Sequence, residues 1–213
     1  MTERSLETAY RLRTPEDSRK LYAAWARDYD SSFAAAMDYQ LPFSVAQTFV
    51  ELGGKGPVLD VGAGTGLGAF ALRQQGVHQI DGTDISTEML SVADEKNLYE
   101  RTFIADITAG MPVPDGAYRG VISSGTFTLG HLGPLALPEV LRVIAPGGLG
   151  VISVGLAHYR AASFDLAIAD LPENIRVTEI EVPIYGPVHQ GSNGTDAAIL
   201  ICAYVSYHPL IDR

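Results

Sequence analysis

Residues 58–68, VLDVGAGTGLG, set a short apolar run against three alternating glycines, and few folds can use such a junction. A strand that gives way to a helix through a glycine loop is the hallmark of a parallel sheet that binds ligands along its C-terminal edge. Gly62, Gly64 and Gly66 let the chain turn tightly and bring backbone N–H groups against a ligand, with Ala63 and Thr65 between them. An ordinary strand-to-helix turn needs only one or two glycines, so the alternation points to a cradle.

The rest of the chain fits that junction. Apolar runs at 57–61, 77–81, 101–105, 118–123 and 150–154 alternate with helical patterns at about 66–75, 86–97, 134–145 and 157–171. Two more extended segments, 176–185 and 196–207, flank a loop that contains Gly, Asn and Ser and suits antiparallel pairing. Ahead of the first strand, Thr14-Pro15-Glu16-Asp17 reads as a helix start, and Leu21, Tyr22, Trp25 and Tyr29 share one face of the helix expected over 14–36. A second amphipathic helix is expected from Pro42 to Leu52, stopped by Gly53-Gly54. The spacing predicts a single domain in which residues 1–54 form a helical cap and 55–213 the sheet core.

Acids at the strand ends narrow the ligand. Gly64-Thr65-Gly66-Leu67-Gly68-Ala69 also satisfies a loose GxGxxA dinucleotide pattern, but Asp60 at the end of the first strand disfavours a pyrophosphate and favours a cationic group. Asp84, eighteen residues after Gly66, stands where a carboxylate accepts from both hydroxyls of a ribose; Asp81 is the weaker candidate, inside the strand. Asp106, followed by Ile107, suits an adenine, with the acid on the exocyclic amine and the aliphatic chain on the ring face.

Charge and cysteine usage exclude several classes. Fifteen Lys plus Arg against 25 Asp plus Glu give a net charge of −10, which repels a phosphate backbone, so no nucleic-acid partner is expected. The lone Cys202 allows neither an internal disulfide nor a multi-cysteine zinc site. No signal-peptide core opens the sequence, and no window approaches the roughly 18 apolar residues of a membrane span. The expected compartment is the cytoplasm, with no membrane partner. No heptad repeat argues for a particular oligomeric state.

Taken in order, these segments resemble the class I S-adenosylmethionine-dependent methyltransferases. VLDVGAGTG is similar to their first motif, GTDISTEMLSVA at 82–93 to the second, FIADIT to the adenine-contact motif, and LRVIAPGGLGVIS at 141–153 to the helix, Pro-Gly-Gly turn and fifth strand. YAAWARDYD at 22–30 and SSGTFTLGHLGPLALPEVLRVIAPGG at 123–148 are closest to the methyltransferase-like group named after the Williams–Beuren syndrome region. The resemblance implies an α/β, Rossmann-like three-layer sandwich whose seven-stranded sheet has the order 3-2-1-4-5-7-6, mostly parallel with the last strand antiparallel. It implies S-adenosylmethionine as cofactor and S-adenosylhomocysteine as product. Asp60, Gly62 and Gly64 would contact the methionine moiety, Asp84 the ribose, Ile85 and Met89 the adenosine, and Asp106 and Ile107 the adenine, with Ser123 bordering the pocket.

The expected reaction is methyl transfer to a small molecule by direct in-line displacement. Candidates for a general base are His131, Tyr22 and Tyr29, and the aromatic faces of Tyr22 and Trp25 would also surround the sulfonium. Many small-molecule members carry a His-His pair where Thr128 and Leu129 stand here, so His131 is displaced from the family position. Segment 123–126 reads SSGT, not the Asn/Asp-Pro-Pro-aromatic motif of amino-methylating nucleic-acid enzymes. His158, His189 and His208 lack metal-ligand spacing, so no metal is expected. A cofactor-binding module without chemistry and a nicotinamide-dependent oxidoreductase are the other readings of the same residues.

Overall fold

The computed structural model describes residues 20, 21, 23, 25–187 and 196–207. The expected helix start at Thr14, Tyr22, His189 and His208 lie outside them. Seven strands form one sheet in the order β3-β2-β1-β4-β5-β7-β6. They are β1 (Val58–Val61), β2 (Ile80–Asp84), β3 (Arg101–Ile104), β4 (Tyr118–Phe127), β5 (Ile144–Gly155), β6 (Ile175–Pro183) and β7 (Ala197–Val205). The first five pair in parallel, and β7 runs antiparallel to both β5 and β6. This is the expected architecture and strand order.

Successive strand residues feed opposite faces, so each strand supplies two cores. Val58, Ile122, Val151 and Leu200 join one cluster, while Leu59, Val121, Ile152 and Ile201 join the other. Helix α1 (Leu41–Glu51) buries Leu41, Val45 and Phe49 at helical spacing against the first cluster, where α2 (Leu67–Gln74) adds Ala69 and Leu72. On the other face α4 (Leu137–Arg142) and α6 (Phe164–Ala169) bury Leu137, Val140, Leu141 and Phe164. Helices α3 (Thr87–Glu95) and α5 (Leu156–Ala161) follow β2 and β5. Burying one such large apolar side chain stabilises the fold by roughly 1.5–3 kcal/mol, so the two clusters hold the strand ends rigidly in place.

Several element bounds differ from the periodicity. Strand β2 starts at Ile80 and runs through Gly82, which pairs with Asp60 and Thr102 on its two sides and where a Cβ would lie 2.9 Å from the Tyr99 ring. The expected helix over 134–145 is a 3-10 turn (Pro134–Ala136) followed by α4, and β5 already begins at Ile144. That over 157–171 is broken into α5 and α6 by Ser163, whose φ of 57° is left-handed. The helix expected over 14–36 does not run unbroken: Lys20, Leu21, Ala23 and Trp25 are helical, a turn follows, and Tyr29–Ala34 form a π-helical turn.

Candidate cofactor and acceptor site

The C-terminal ends of β1, β2 and β4 surround a cavity of about 240 Å³. Its floor is the glycine loop. Gly62 has φ +72°, and a Cβ there would lie 2.0 Å from the Thr126 hydroxyl, so only glycine fits. Gly62 and Ala63 both donate their N–H groups to the Thr83 carbonyl at 2.9 Å, which ties the loop to β2. Gly64 has φ +54°, and a Cβ there would meet nothing within 4 Å, so its outer face is open space for a ligand. Gly66, with φ +92°, starts α2 and does not line the cavity.

Asp84 ends β2 and turns its carboxylate toward the loop. Gly64 donates to Oδ2 and Ser86 to Oδ1, each at 2.9 Å. Burial pushes its carboxyl up, and the N–H groups of Ser86, Gly64 and Ile85 oppose that shift. Asp60, 2% exposed, accepts from the Tyr99 hydroxyl at 2.7 Å. Burial pushes the Asp60 carboxyl up to about 7; the Tyr99 hydrogen bond pulls it down, Asp84 pushes it further up, and the Ala69 N–H pulls it down. Asp106 caps the 3-10 turn Ile107–Ala109, accepting from the Thr108 N–H at 3.0 Å and its hydroxyl at 2.6 Å. Ile107, Met89 and Ala105 form an apolar shelf beside it.

The far end of the cavity is aromatic and polar, lined by Tyr29, Tyr39, Pro42, Ser124, Gly125, Thr126, Gly130, His131 and Leu132. A register shift in β4 between Ser123 and Phe127 re-aims this strand end, with Gly125 at φ +77°. Ser123 points away from the cavity, because its hydroxyl donates to the Val61 carbonyl at 2.7 Å; its neighbour Ser124 lines the cavity instead. The Ser124 hydroxyl is buried with no hydrogen-bond partner among the described residues, the mark of a site that expects a polar ligand. Trp25 is 4% exposed and packs in the core edge-on to Tyr29, at 5.3 Å between ring centroids, so it does not face the cavity either.

His131 lines the cavity with Nδ1 3.2 Å from the Leu129 carbonyl and 3.0 Å from the Thr128 hydroxyl. A carbonyl only accepts, so in the tautomer that donates Nδ1–H to Leu129 the ring lone pair is on Nε2. Burial pushes the imidazole below its ordinary value, the Leu129 carbonyl opposes this, and His158 adds to the depression. The ring is therefore neutral at pH 7 and able to accept a proton. His158 is held apart from the cavity by a 2.9 Å contact of Nε2 with the Leu132 carbonyl. Among the described residues no cluster of three or more His, Cys, Asp or Glu could hold a metal ion.

Of the residues singled out from the sequence, Tyr29, Asp60, Gly62, Ala63, Gly64, Thr65, Asp84, Ile85, Met89, Asp106, Ile107 and His131 line this one cavity. Tyr39, Ser124 and Thr126 line it without having been anticipated, and Tyr99 stands behind Asp60. The lining fits S-adenosylmethionine. It combines three carboxylates with an open glycine, an apolar shelf and an unsatisfied hydroxyl, and the described lining holds no Lys or Arg to meet a pyrophosphate. A dinucleotide is disfavoured on the same ground.

A seven-stranded sheet of this order with such a site at its C-terminal edge defines a Rossmann-like methyltransferase fold. The family described as "Methyltransferase domain" matches residues 58–148. The human Methyltransferase-like protein 27 is 34% identical over 142 residues, 63% of this chain and 57% of that protein. The malonyl-[acyl-carrier protein] O-methyltransferase of Serratia marcescens is 30% identical over 131 residues, 60% of this chain and 48% of that protein. The chain thus spans about half the length of these curated relatives, at 57% and 48%. A TehB-like S-adenosylmethionine-dependent methyltransferase from Corynebacterium glutamicum shares the fold with a TM-score of 0.61 at 18% identity, over 90% of this chain and 100% of that one. The comparisons therefore support a class I S-adenosylmethionine-dependent methyltransferase, with the family match itself covering residues 58–148.

Proposed function

We propose that the chain transfers a methyl group from S-adenosylmethionine to a small-molecule acceptor bound between Tyr29, Tyr39 and His131. The observation that carries this reading is the continuity of the cavity, which joins the three strand-end acids to that aromatic, His-containing end without a wall between them. When bound, the cofactor supplies a methyl carbon on a sulfonium, and the sulfur keeps the electron pair of the broken C–S bond as S-adenosylhomocysteine forms. The residues then have distinct tasks. Asp84 accepts from the ribose hydroxyls, Asp106 and Ile107 hold the adenine, and Asp60 with the Gly62–Gly64 backbone receives the methionine end. His131 Nε2 takes the proton that the acceptor heteroatom loses as its new bond to carbon forms. Tyr29, Tyr39 and Leu132 exclude water and orient the acceptor behind the methyl group.

A small acceptor accords with the net charge of −10, which disfavours nucleic acid, and with SSGT at 123–126. It also accords in part with the likeness to a malonyl-[acyl-carrier protein] O-methyltransferase, whose named acceptor is a small acyl group carried on a protein. The cytoplasm is the compartment we propose; among the described residues no helix is long and apolar enough to cross a membrane. The test is isothermal titration with S-adenosylhomocysteine, followed by incubation of methyl-labelled cofactor with fractionated cell extract. Binding with label in the low-molecular-weight fraction supports the assignment. Binding without transfer to any fraction identifies a non-catalytic module instead.

A further inference from the structure

Behind the cavity wall lies a partly buried tyrosine that none of the proposed contacts uses. Tyr99 does not line the cavity, yet its hydroxyl reaches Asp60 Oδ2 at 2.7 Å from the segment between α3 and β3. Its ring has a built seat. A Cβ on Gly82 would lie 2.9 Å from the ring, and one on Gly66 would lie 3.4 Å from it. Gly82 is inside β2, so the strand that bounds the site is cut back to admit this one side chain, with Gly66 at the start of α2 in ordinary contact range of it. Gly68 in turn makes room for the carboxylate, since a Cβ there would lie 2.9 Å from the same Oδ2.

We propose that Tyr99 is a positioning residue for cofactor binding, its phenol holding Asp60 in the orientation and charge that receive the cationic methionine end. The role rests on the placement of that end at Asp60 given above. The groups that act on Asp60 are Tyr99, Asp84 from β2 and the Ala69 N–H from α2; Asp94 of α3 acts on Tyr99. Burial and the Asp60 charge hold the phenol well above its ordinary range, so Tyr99 stays protonated and is always the donor. Its hydrogen bond favours the ionised acid, against the burial and the Asp84 charge that favour the neutral one. Loss of the donor therefore moves the pH at which Asp60 becomes able to bind a cation.

The experiment is titration of S-adenosylhomocysteine into the wild type, Tyr99→Phe, Asp60→Asn and a protein with 3-fluorotyrosine at position 99, between pH 5.5 and 8. In the wild type, affinity rises with pH and levels off once Asp60 is ionised. Y99F is expected to shift the rise to higher pH, losing about tenfold affinity near pH 6.5 and recovering most of it by pH 8. Fluorotyrosine, a stronger donor of nearly the same shape, is expected to shift the rise to lower pH and keeps the test intact if Y99F does not fold. A loss by one constant factor at every pH, an unchanged curve, or shifts of both variants in the same direction overturns the proposal. Wild-type affinity and pH profile in D60N overturns the placement at Asp60 itself, and is recognisable as that separate failure.

Discussion

Thr65, in the middle of the glycine loop, donates its hydroxyl hydrogen to Asp30 at 2.5 Å across 35 residues of sequence. Lys96 completes the arrangement, since its ammonium contacts both Asp30 Oδ2 and the Thr65 carbonyl at 2.5 Å. The π-helical turn that begins with the cavity-lining Tyr29 is thereby fastened to the loop beneath it. Such turns recur at functional sites, where a regular helix would misplace the side chains. The ion pair is about a third exposed, at 32% for Lys96 and 36% for Asp30, so it is worth only about 1 kcal/mol.

Asp30→Asn and Lys96→Met should each speed release of S-adenosylhomocysteine about fivefold, the rate equivalent of that energy. The double variant should be no faster than the faster single one, because both remove the same fastening. Stopped-flow displacement reads the rate; additive effects would show that the two residues act separately.

The two loop glycines should respond differently to alanine. G62A meets the Thr126 hydroxyl at 2.0 Å and needs a left-handed φ, so it should lower thermal stability strongly. G64A carries only the left-handed cost, roughly 1 kcal/mol, and its methyl group enters open space. Calorimetry should find G64A folded near the wild-type melting temperature while titration finds its cofactor affinity much reduced. Unchanged affinity in G64A would remove the loop from the binding surface.

Asp60 sets a pH dependence with a definite sign. Its folded carboxyl, at about 7, lies above the ordinary value of 3.8, so the folded state holds the proton more tightly than the unfolded chain. The acid supports the empty protein fully below pH 4, and that support is lost as pH rises toward 7, at about 1.4 kcal/mol per pH unit. D60N should therefore leave stability unchanged near pH 4 and raise the melting temperature increasingly up to pH 7. Urea melts across pH 4–8 check this; an equal effect of D60N at all pH values would show that the acid is ionised throughout.

How far the sequence reached varies with the kind of signal. The succession of strands and helices and the glycine loop were legible because each depends on local pattern, a buried run followed by residues that permit positive φ; the spatial order of the strands was implied only by the family resemblance. The role of Gly82 was not legible in that way: it is a seat for the Tyr99 ring inside β2, and that contact spans 17 residues. Ser123 and Ser124 could not be told apart, since the β4 register shift that turns one inward depends on pairing with β5. Tyr39 gave no signal either. It reaches the cavity by a bridge to Tyr185, which follows the end of β6. Trp25 shares a helical face with Leu21 as the spacing required, but that face meets the core, and the cavity is left to Tyr29.

In the proposed function Asp84 holds the cofactor in a cavity where a small molecule is methylated. D84A removes a carboxylate that can accept two ribose hydroxyls, and hydrogen bonds to a charged group contribute about 1.5–3 kcal/mol each. The most direct measurement is transfer of label from methyl-labelled S-adenosylmethionine, at limiting cofactor, into the low-molecular-weight fraction of a cell extract. The wild type should label that fraction, D84A should do so at least about 100-fold more slowly, and His131→Gln should slow transfer while binding S-adenosylhomocysteine normally. Label confined to protein or nucleic acid, or equal transfer by D84A, would contradict the account.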